Sequence, residues 1–442
     1  MKEGTSDDYP IKLVILDPGH FHAALLQKVM YPQVSPVVHI YAPGGAEVDD
    51  HVKKIEGFNT RTENPTQWQQ QIHTSPDFLE RMLSDGSGNV AVVAGNNRRK
   101  TRYIKSLVDS RVNVLSDKPM CIDQTAWQLL KSAFESARDR GVLLYDIMTE
   151  RFEITTILQR ELVSNEAVFG QLQMGSPSDP AVIKDSVHHL FKDVAGKPLQ
   201  RAGWYFDVEQ QGEGIVDVAT HLVDIVMWVC FPEKAIDYTS EVEIYSARHW
   251  PTRMTRAQFN KVTGMSDFPD FLIDQLDSEA VLPYYCNGEI QYALRDVHSK
   301  ISVVWDFEAP AGGGDTHFSV IKGSKSHVLI KQGEEQNYQP EVFLEPAQGA
   351  DSDTLGEQLR ATIERLSATS YPGLGLEPAR NGWHLLVPDR YRVGHEAHFG
   401  EVTKKFLSYL NQGELPEWEI PNMIAKYYTT TRALEIAKKA DG

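Results

Sequence analysis

The chain has 442 residues, 41% of them hydrophobic and 24% charged, an ordinary globular composition but too long for one ordinary core, so two domains are expected. A formal net charge of −17 argues against nucleic acid or an anionic membrane surface as a partner, since both call for a basic face. No apolar stretch approaches a membrane span, and Cys121, Cys230 and Cys286 stand far apart without metal spacing and read as ordinary thiols.

Residues 1–10 are polar and read as a flexible leader that cannot act as a signal peptide as it stands; a cytoplasmic location is the default, an exported form following only if a signal had been trimmed. Residues 11–16 are a short run of branched apolar residues, so a buried strand. Asp17, Pro18, Gly19, His20, Phe21 and His22 follow at once, and 24–30 reads as a helix. Strand, glycine turn and helix form the setting of a dinucleotide loop, where the helix N-terminus receives a pyrophosphate. Against the G-x-G-x-x-G pattern, Asp17 stands at the first glycine and His22 at the third; only Gly19 fits. A generic strand–helix turn is an equal reading of these residues alone.

A second strand is expected at 37–41. A nicotinamide-ribose site usually has an acidic residue at the end of such a strand. Here Ala42, Pro43, Gly44 and Gly45 follow, and the nearest carboxylate is Glu47. Residues 64–83 read as a helix after Pro65. A strand at 89–94 ends in Gly95-Asn96-Asn97, a helix covers 100–110, and a strand at 112–115 ends in Ser116-Asp117-Lys118-Pro119. A helix at 123–140 is stopped by Gly141, and a strand follows at 142–145. This alternation predicts an α/β domain over 11–150 with a doubly wound parallel sheet, whose ligands sit at the carboxyl ends of the strands. Gly19, Asn96, Asn97 and Lys118 all fall at such ends.

Beyond a helix at 154–162, strand-like segments dominate: 169–174, 242–246, 280–285, 290–294, 300–307, 317–321 and 327–331. Strands without helices between them predict an α+β domain over 151–442 with a large, open, mainly antiparallel sheet. Asn287-Gly288 and Lys322-Gly323-Ser324 have turn chemistry, and Gly312 to Gly314 make a flexible loop. Residues 336–388 are poorly periodic and read as a surface excursion; 395–412 and 423–439 read as helices.

The stretch 212–224 carries the most chemistry. Gly212 and Gly214 lead into an apolar run in which Asp217, His221 and Asp224 recur at i, i+4 and i+7, one face of a helix. Two readings stay open: Asp217 and His221 satisfy each other in a core, or a carboxylate orients a proton-handling histidine. Other candidates are weaker. His188 and His189, with Lys184 and Lys192, read as a solvated loop rather than the lining of a substrate entrance. Trp204, Tyr205 and Phe206 read as core. His395 and His398 have i, i+3 metal spacing but no third ligand nearby in sequence, so no metal is expected.

Asp117-Lys118-Pro119 after a strand, followed by Gly212-x-Gly214-x-x-Asp217-x-x-x-His221-x-x-Asp224, resembles the Gfo/Idh/MocA family of nicotinamide-dependent oxidoreductases. That resemblance implies an N-terminal Rossmann domain and a C-terminal open sheet. It implies NAD or NADP as cofactor, held by Asp17, Gly19, His20, Phe21, His22, Asn96, Asn97, Asp117 and Lys118. It implies that Lys118 contacts substrate and nicotinamide, and that Asp217 and His221 supply the acid/base. The substrate it implies is a sugar or cyclitol hydroxyl or carbonyl. The departures are Asp117 for the usual Glu, Asp17 and His22 in the glycine loop, Asn96 before the fitting Asn97, and the missing ribose carboxylate. Asp17 is expected to turn its charge away from a pyrophosphate.

The leading expectation is therefore a dehydrogenase of a carbohydrate-like substrate, with self-association through the open sheet. A redox-neutral glycoside-cleaving enzyme, working by transient oxidation and elimination, would use the same residues. A non-catalytic sugar- or nucleotide-binding protein is the reading favoured by the damaged loop and disfavoured by Lys118, Asp217 and His221.

Overall fold

The structure, a computed structural model, describes residues 9–194 and 197–440, without the side chains of 193–198. The expected leader at 1–10 lies almost wholly outside the described residues.

Six strands form an all-parallel sheet: β1 Leu13–Leu16, β2 Val37–Ala42, β3 Gln69–Thr74, β4 Val90–Val93, β5 Asn113–Asp117 and β6 Leu144–Ile147. Their order is β3-β2-β1-β4-β5-β6. This is the doubly wound dinucleotide-binding order, whose switch point lies between β1 and β4. Strands β1, β4 and β6 are buried along their whole length, as strands covered on both faces must be. Helix Asn97–Asp109 is capped by the Asn96 side chain, which accepts from the Arg98 N–H at 3.1 Å. Helix Gln124–Arg140 starts on the Asp123 carboxylate and ends at Gly141 in the left-handed region, φ 67°.

β3 replaces the helix expected at 64–83; only Phe78–Asp85 of that range is helical. Its residues, Gln-Gln-Gln-Ile-His-Thr, are polar because β3 is an edge strand with no fully buried position, so no apolar signal marks it.

The nine-stranded sheet is mixed. In chain order its strands are β7 Val182–Phe191, β8 Val242–Met254, β9 Leu282–Leu294, β10 Val297–Glu308, β11 Thr316–Lys322, β12 Ser326–Gln332, β13 Glu341–Pro346, β14 Gly375–Ala379 and β15 Gly382–Leu386. The spatial order is β8-β9-β10-β7-β11-β12-β13-β15-β14, antiparallel except where β10 pairs with β7. Helix Val218–Cys230 packs on helix Ile154–Val163 and on β10. The range 336–388 is structured: it holds β13, helix Ser352–Thr369 and the β14–β15 hairpin.

By contacts the chain divides into two units, but not at a single cut near 150. The first comprises Met1–Thr149, Glu209–Gly212 and Gly394–Tyr427; the second comprises Glu150–Val208, Glu213–Val393 and Tyr428–Gly442. The C-terminal residues expected in the second domain are thus shared. The reason is a buried cluster in the first unit: Lys426 Nζ lies 2.7 Å from Asp146 Oδ2, the Tyr427 hydroxyl donates to the same oxygen at 2.8 Å, and the Trp127 indole donates to the Ile424 carbonyl.

Candidate active site

In the first unit the chain turns sharply after β1. Asp17 takes a left-handed backbone, φ 48°, which asparagine and aspartate tolerate better than other non-glycine residues. Its N–H donates to the Tyr41 carbonyl, and the N–H groups of Gly19 and His20 both donate to the Ala94 carbonyl at 3.3 and 3.2 Å. The turn is therefore tied to the end of β4. Gly95 allows this: a Cβ there would lie 2.3 Å from the Asp17 carbonyl oxygen and 3.0 Å from the Gly19 nitrogen. The role of Gly95 was not read from the sequence, where it stood only as the residue following the strand at 89–94.

The Asp17 carboxylate accepts from the Tyr103 hydroxyl at 2.9 Å. Burial raises its pKa above the ordinary range, against the opposing pull of Tyr103 and Arg99. The charge that the sequence places at the first-glycine position is thus engaged by helix Asn97–Asp109.

His20, His22 and Asp117 meet at the carboxyl ends of β1 and β5. His22 Nδ1 lies 2.9 Å from Asp117 Oδ2, His20 Nδ1 lies 3.7 Å from it, and the Lys118 N–H donates to Asp117 Oδ1 at 3.0 Å. The Lys100 ammonium donates to the Asp117 carbonyl. Burial drives His20 well below its ordinary pKa and lowers His22 against the attraction of Asp117, so both rings are neutral at pH 7. Burial alone would raise Asp117, but His22, Lys100 and His20 outweigh it and hold the carboxyl far below the usual range. An ionised carboxylate only accepts, so the His22 proton facing it sits on Nδ1. One donor atom from each of His20, His22 and Asp117 lies within 4.8 Å of the others, a grouping that a cation could use. The Nδ1–H hydrogen bond and the neighbouring lysine account for it without one.

The helix His395–Gln412 covers this loop: the His22 ring centroid is 4.4 Å from Phe399 and 5.9 Å from His395. Of the two histidines flagged by their spacing, His395 thus packs beside the loop, and His398 lies 6.4 Å from His395 between ring centroids. Asn96 donates to the Gln210 side chain at 2.7 Å, and Asn97 to the Gln211 carbonyl at 2.7 Å. Both expected cofactor residues hold the short segment Glu209–Gly212 against the sheet edge. β1, β4 and β5 run parallel, so Gly19, Asn97 and Lys118 share that edge.

The second unit contributes the 212–224 stretch. Helix Val218–Cys230 begins one residue after Asp217, which is its N-cap and has a non-helical backbone. The three polar residues therefore do not lie on one continuous helix; Asp217 precedes it. Asp217 is buried, and His221 lies on the first turn, half-buried. Asp224 is accounted for by a buried two-point pair with Arg151, Nε to Oδ2 and Nη2 to Oδ1, both 2.7 Å. The glycines are required by close approach. Gly212 has φ 91°, and a Cβ on Gly214 would lie 1.7 Å from the Cys286 carbonyl oxygen. Buried Glu213 between them meets His249 Nδ1 at 2.6 Å and Lys438 Nζ at 2.9 Å.

Asn287-Gly288, expected as a turn, lies inside β9. A Cβ on Gly288 would press on Ile215 at 2.8 Å, and the Asn287 side chain bridges a bulge, donating to the Trp250 carbonyl and accepting from the Trp305 N–H. His188, His189 and Lys192 are not a free solvated loop: all three surround Asp315, at 3.5, 3.0 and 2.8 Å, and His188 stacks on Trp305. Lys184 is fully buried, donating to Ser319 and Gln159. Tyr205 and Phe206 are core, as expected, while Trp204 lies beside them in the same short 3-10 turn.

Residues 158–438 match the family described as "Putative oxidoreductase C terminal domain". A solved structure described as a "putative oxidoreductase" from Parabacteroides merdae is 54% identical, with 99% of this chain and 100% of that chain covered and a TM-score of 0.95. Two more distant structures share the fold. GenD2 from gentamicin A biosynthesis, in complex with NAD, is 15% identical over 100% of this chain and 97% of its own, TM-score 0.58. Levoglucosan dehydrogenase, in complex with NADH and levoglucosan, is 10% identical over 97% of each chain, TM-score 0.61. No curated protein matches. The chain belongs to the family described as the putative oxidoreductase C-terminal domain.

Proposed function

We propose that the protein is a nicotinamide-dependent dehydrogenase, taking NAD or NADP and acting on a hydroxyl or carbonyl of a sugar or cyclitol. The observation that carries this reading is Lys118 following β5 on the same sheet edge as the Gly19 turn, at the switch point of a β3-β2-β1-β4-β5-β6 sheet. The residues fit a dinucleotide. Gly95 lets the Asp17–Gly19 turn close against the end of β4, neutral His20 and His22 follow in that turn, and the Asp17 charge is engaged by Tyr103. The turn Asp17 to His22, with Asn96, Asn97, Asp117 and Lys118, is the proposed cofactor border. The two distant relatives whose descriptions name NAD or NADH, one of them with levoglucosan, support the cofactor and the carbohydrate-like substrate.

When bound, the nicotinamide supplies the hydride acceptor. The chain's own residues handle the proton. Loss of hydride from a carbinol carbon requires loss of the hydroxyl proton, and His221 is proposed to take it. Asp217, at the N-cap position of the helix that carries His221, is proposed to fix the imidazole's tautomer and stabilise its charged form. The Lys118 ammonium stabilises charge developing on the reacting oxygen.

Calorimetry with NAD and NADP, alongside a native mass spectrum of the purified protein, tests the cofactor. Binding of one dinucleotide per chain is expected. A folded protein giving no heat at millimolar NAD and NADP refutes the reading.

A further inference from the structure

Arg201 is the candidate the rest of the molecule leaves unexplained. Its guanidinium carbon lies 4.6 Å from the Tyr205 ring centroid and 5.4 Å from that of Trp305. Among the described residues no carboxylate pairs with it, although the chain has 61 acidic residues against 44 basic ones. Its Nε is buried without a hydrogen-bond partner. A half-buried cation held by rings alone forgoes hydrogen bonds that water or a carboxylate would supply.

The mount is rigid. The Arg201 N–H donates to the Val262 carbonyl at 2.8 Å. Trp305 is stacked by His188 at 4.8 Å, and its N–H is held by Asn287 at 2.6 Å. Tyr205 leans on Phe206 at 5.4 Å between ring centroids. The rings shield Nε, so the terminal nitrogens are the atoms left for a ligand. The group also lies close to the proposed chemistry. The Tyr205 ring under the guanidinium lies 6.3 Å from that of Tyr284, and the Gly214 N–H, three residues before Asp217, donates to the Tyr285 carbonyl at 3.2 Å.

We propose that Arg201 receives the carboxylate of an acidic sugar, so that the substrate is a uronate or aldonate rather than a neutral sugar. The inference rests on Asp217 and His221 being the reaction site. A planar guanidinium offers two parallel N–H groups that match a carboxylate. A single charge favours a monoanion over a phosphate dianion. The nearby cations are already engaged, Lys192 by Asp315 and Lys184 by Ser319 and Gln159.

The test uses the full chain saturated with whichever dinucleotide it binds, which is measured first and separately. Calorimetry compares D-glucuronate and D-galacturonate with D-glucose and D-galactose, and with glucose 6-phosphate. The uronates should bind about 10- to 100-fold more tightly than their neutral partners, the range of one charge-assisted hydrogen-bonded pair. Arg201→Gln should abolish that difference while leaving neutral-sugar binding unchanged, and Arg201→Lys should restore part of it. If Arg201→Gln does not fold, the wild-type comparison of uronates with neutral sugars decides. Equal binding of acidic and neutral sugars, or no binding of either, overturns the proposal; so does tighter binding of the sugar phosphate. Failure of dinucleotide binding would instead overturn the cofactor reading, and the two failures are separately visible.

Discussion

His51 shows how far a single side chain can be read physically. It lies on helix Ala46–Thr60, is buried, and neither ring nitrogen has a hydrogen-bond partner among the described residues. Burial, helped by Lys54, lowers its pKa to about 4. The unfolded chain, with a pKa near 6.5, binds this proton first as pH falls. Stability is therefore intact above about pH 6.5 and is lost as pH drops towards 4, by about 3 kcal/mol. His51→Leu should remove that loss: the denaturation curves of the two proteins should diverge below pH 6.5 in favour of the variant, and parallel curves down to pH 4 would show that His51 finds a partner. For His221 the relevant readout is turnover. On a confirmed substrate, His221→Ala should lower it by about 100- to 10,000-fold while dinucleotide affinity holds. Unchanged turnover would return His221 to the core. The polar types at 217 and 221 were visible in the sequence because charge interrupts an otherwise apolar run. The assignment of Asp224 to Arg151 was not, because the partner lies 73 residues away.

At the scale of elements, glycines divide into those with a legible purpose and those without. Gly141 follows a capped periodic helix, so its stop is readable. Asn287-Gly288 carries a turn dipeptide, yet it sits in mid-strand because Ile215 needs the space that a Cβ would take. Such close approaches between segments distant in sequence leave no local signature. Gly214 is the sharpest case. A methyl group there meets the Cys286 carbonyl, backbone against backbone, so neither side can yield by rotating a side chain. Gly214→Ala should cost on the order of 3 kcal/mol or more, read as a lowered urea midpoint. It should also move Asp217, whose N–H donates to the Glu213 carbonyl, and with it the start of the His221 helix. The ion pair that anchors the same helix makes a separate prediction. Asp224→Ala removes the carboxylate that pairs with the buried Arg151 guanidinium and should destabilise by about 3–5 kcal/mol, whereas a variant replacing both by apolar residues should recover most of that. Equal losses in the single and the double variant would contradict this.

At the scale of the molecule, the alternation of strands and helices over the first 150 residues made the parallel sheet legible, and the run of strands β9 to β12, with no helix between them, made the second sheet legible. The sharing of the C-terminus was not legible, because helices at 395–412 and 423–439 carry no mark of which sheet they serve. The first unit depends on them. Asp146 on β6 is buried against Lys426 and Tyr427, and the Tyr145 ring packs on Phe406 and Tyr409, at 6.0 and 5.6 Å between centroids. A fragment ending at residue 149 would keep every strand of the parallel sheet but leave Asp146 without its counter-ion and an apolar edge exposed. That fragment should fail to give a cooperative unfolding transition, while the same fragment joined by a flexible linker to residues 394–427 should recover one. The comparison separates two ideas of what a domain is here. If the short fragment folds cooperatively alone, the C-terminal segment is a passenger on a sheet that is already stable. If only the joined form folds, the residues that complete the proposed dinucleotide half come from opposite ends of the chain, and dinucleotide binding by calorimetry should return with the joined form alone.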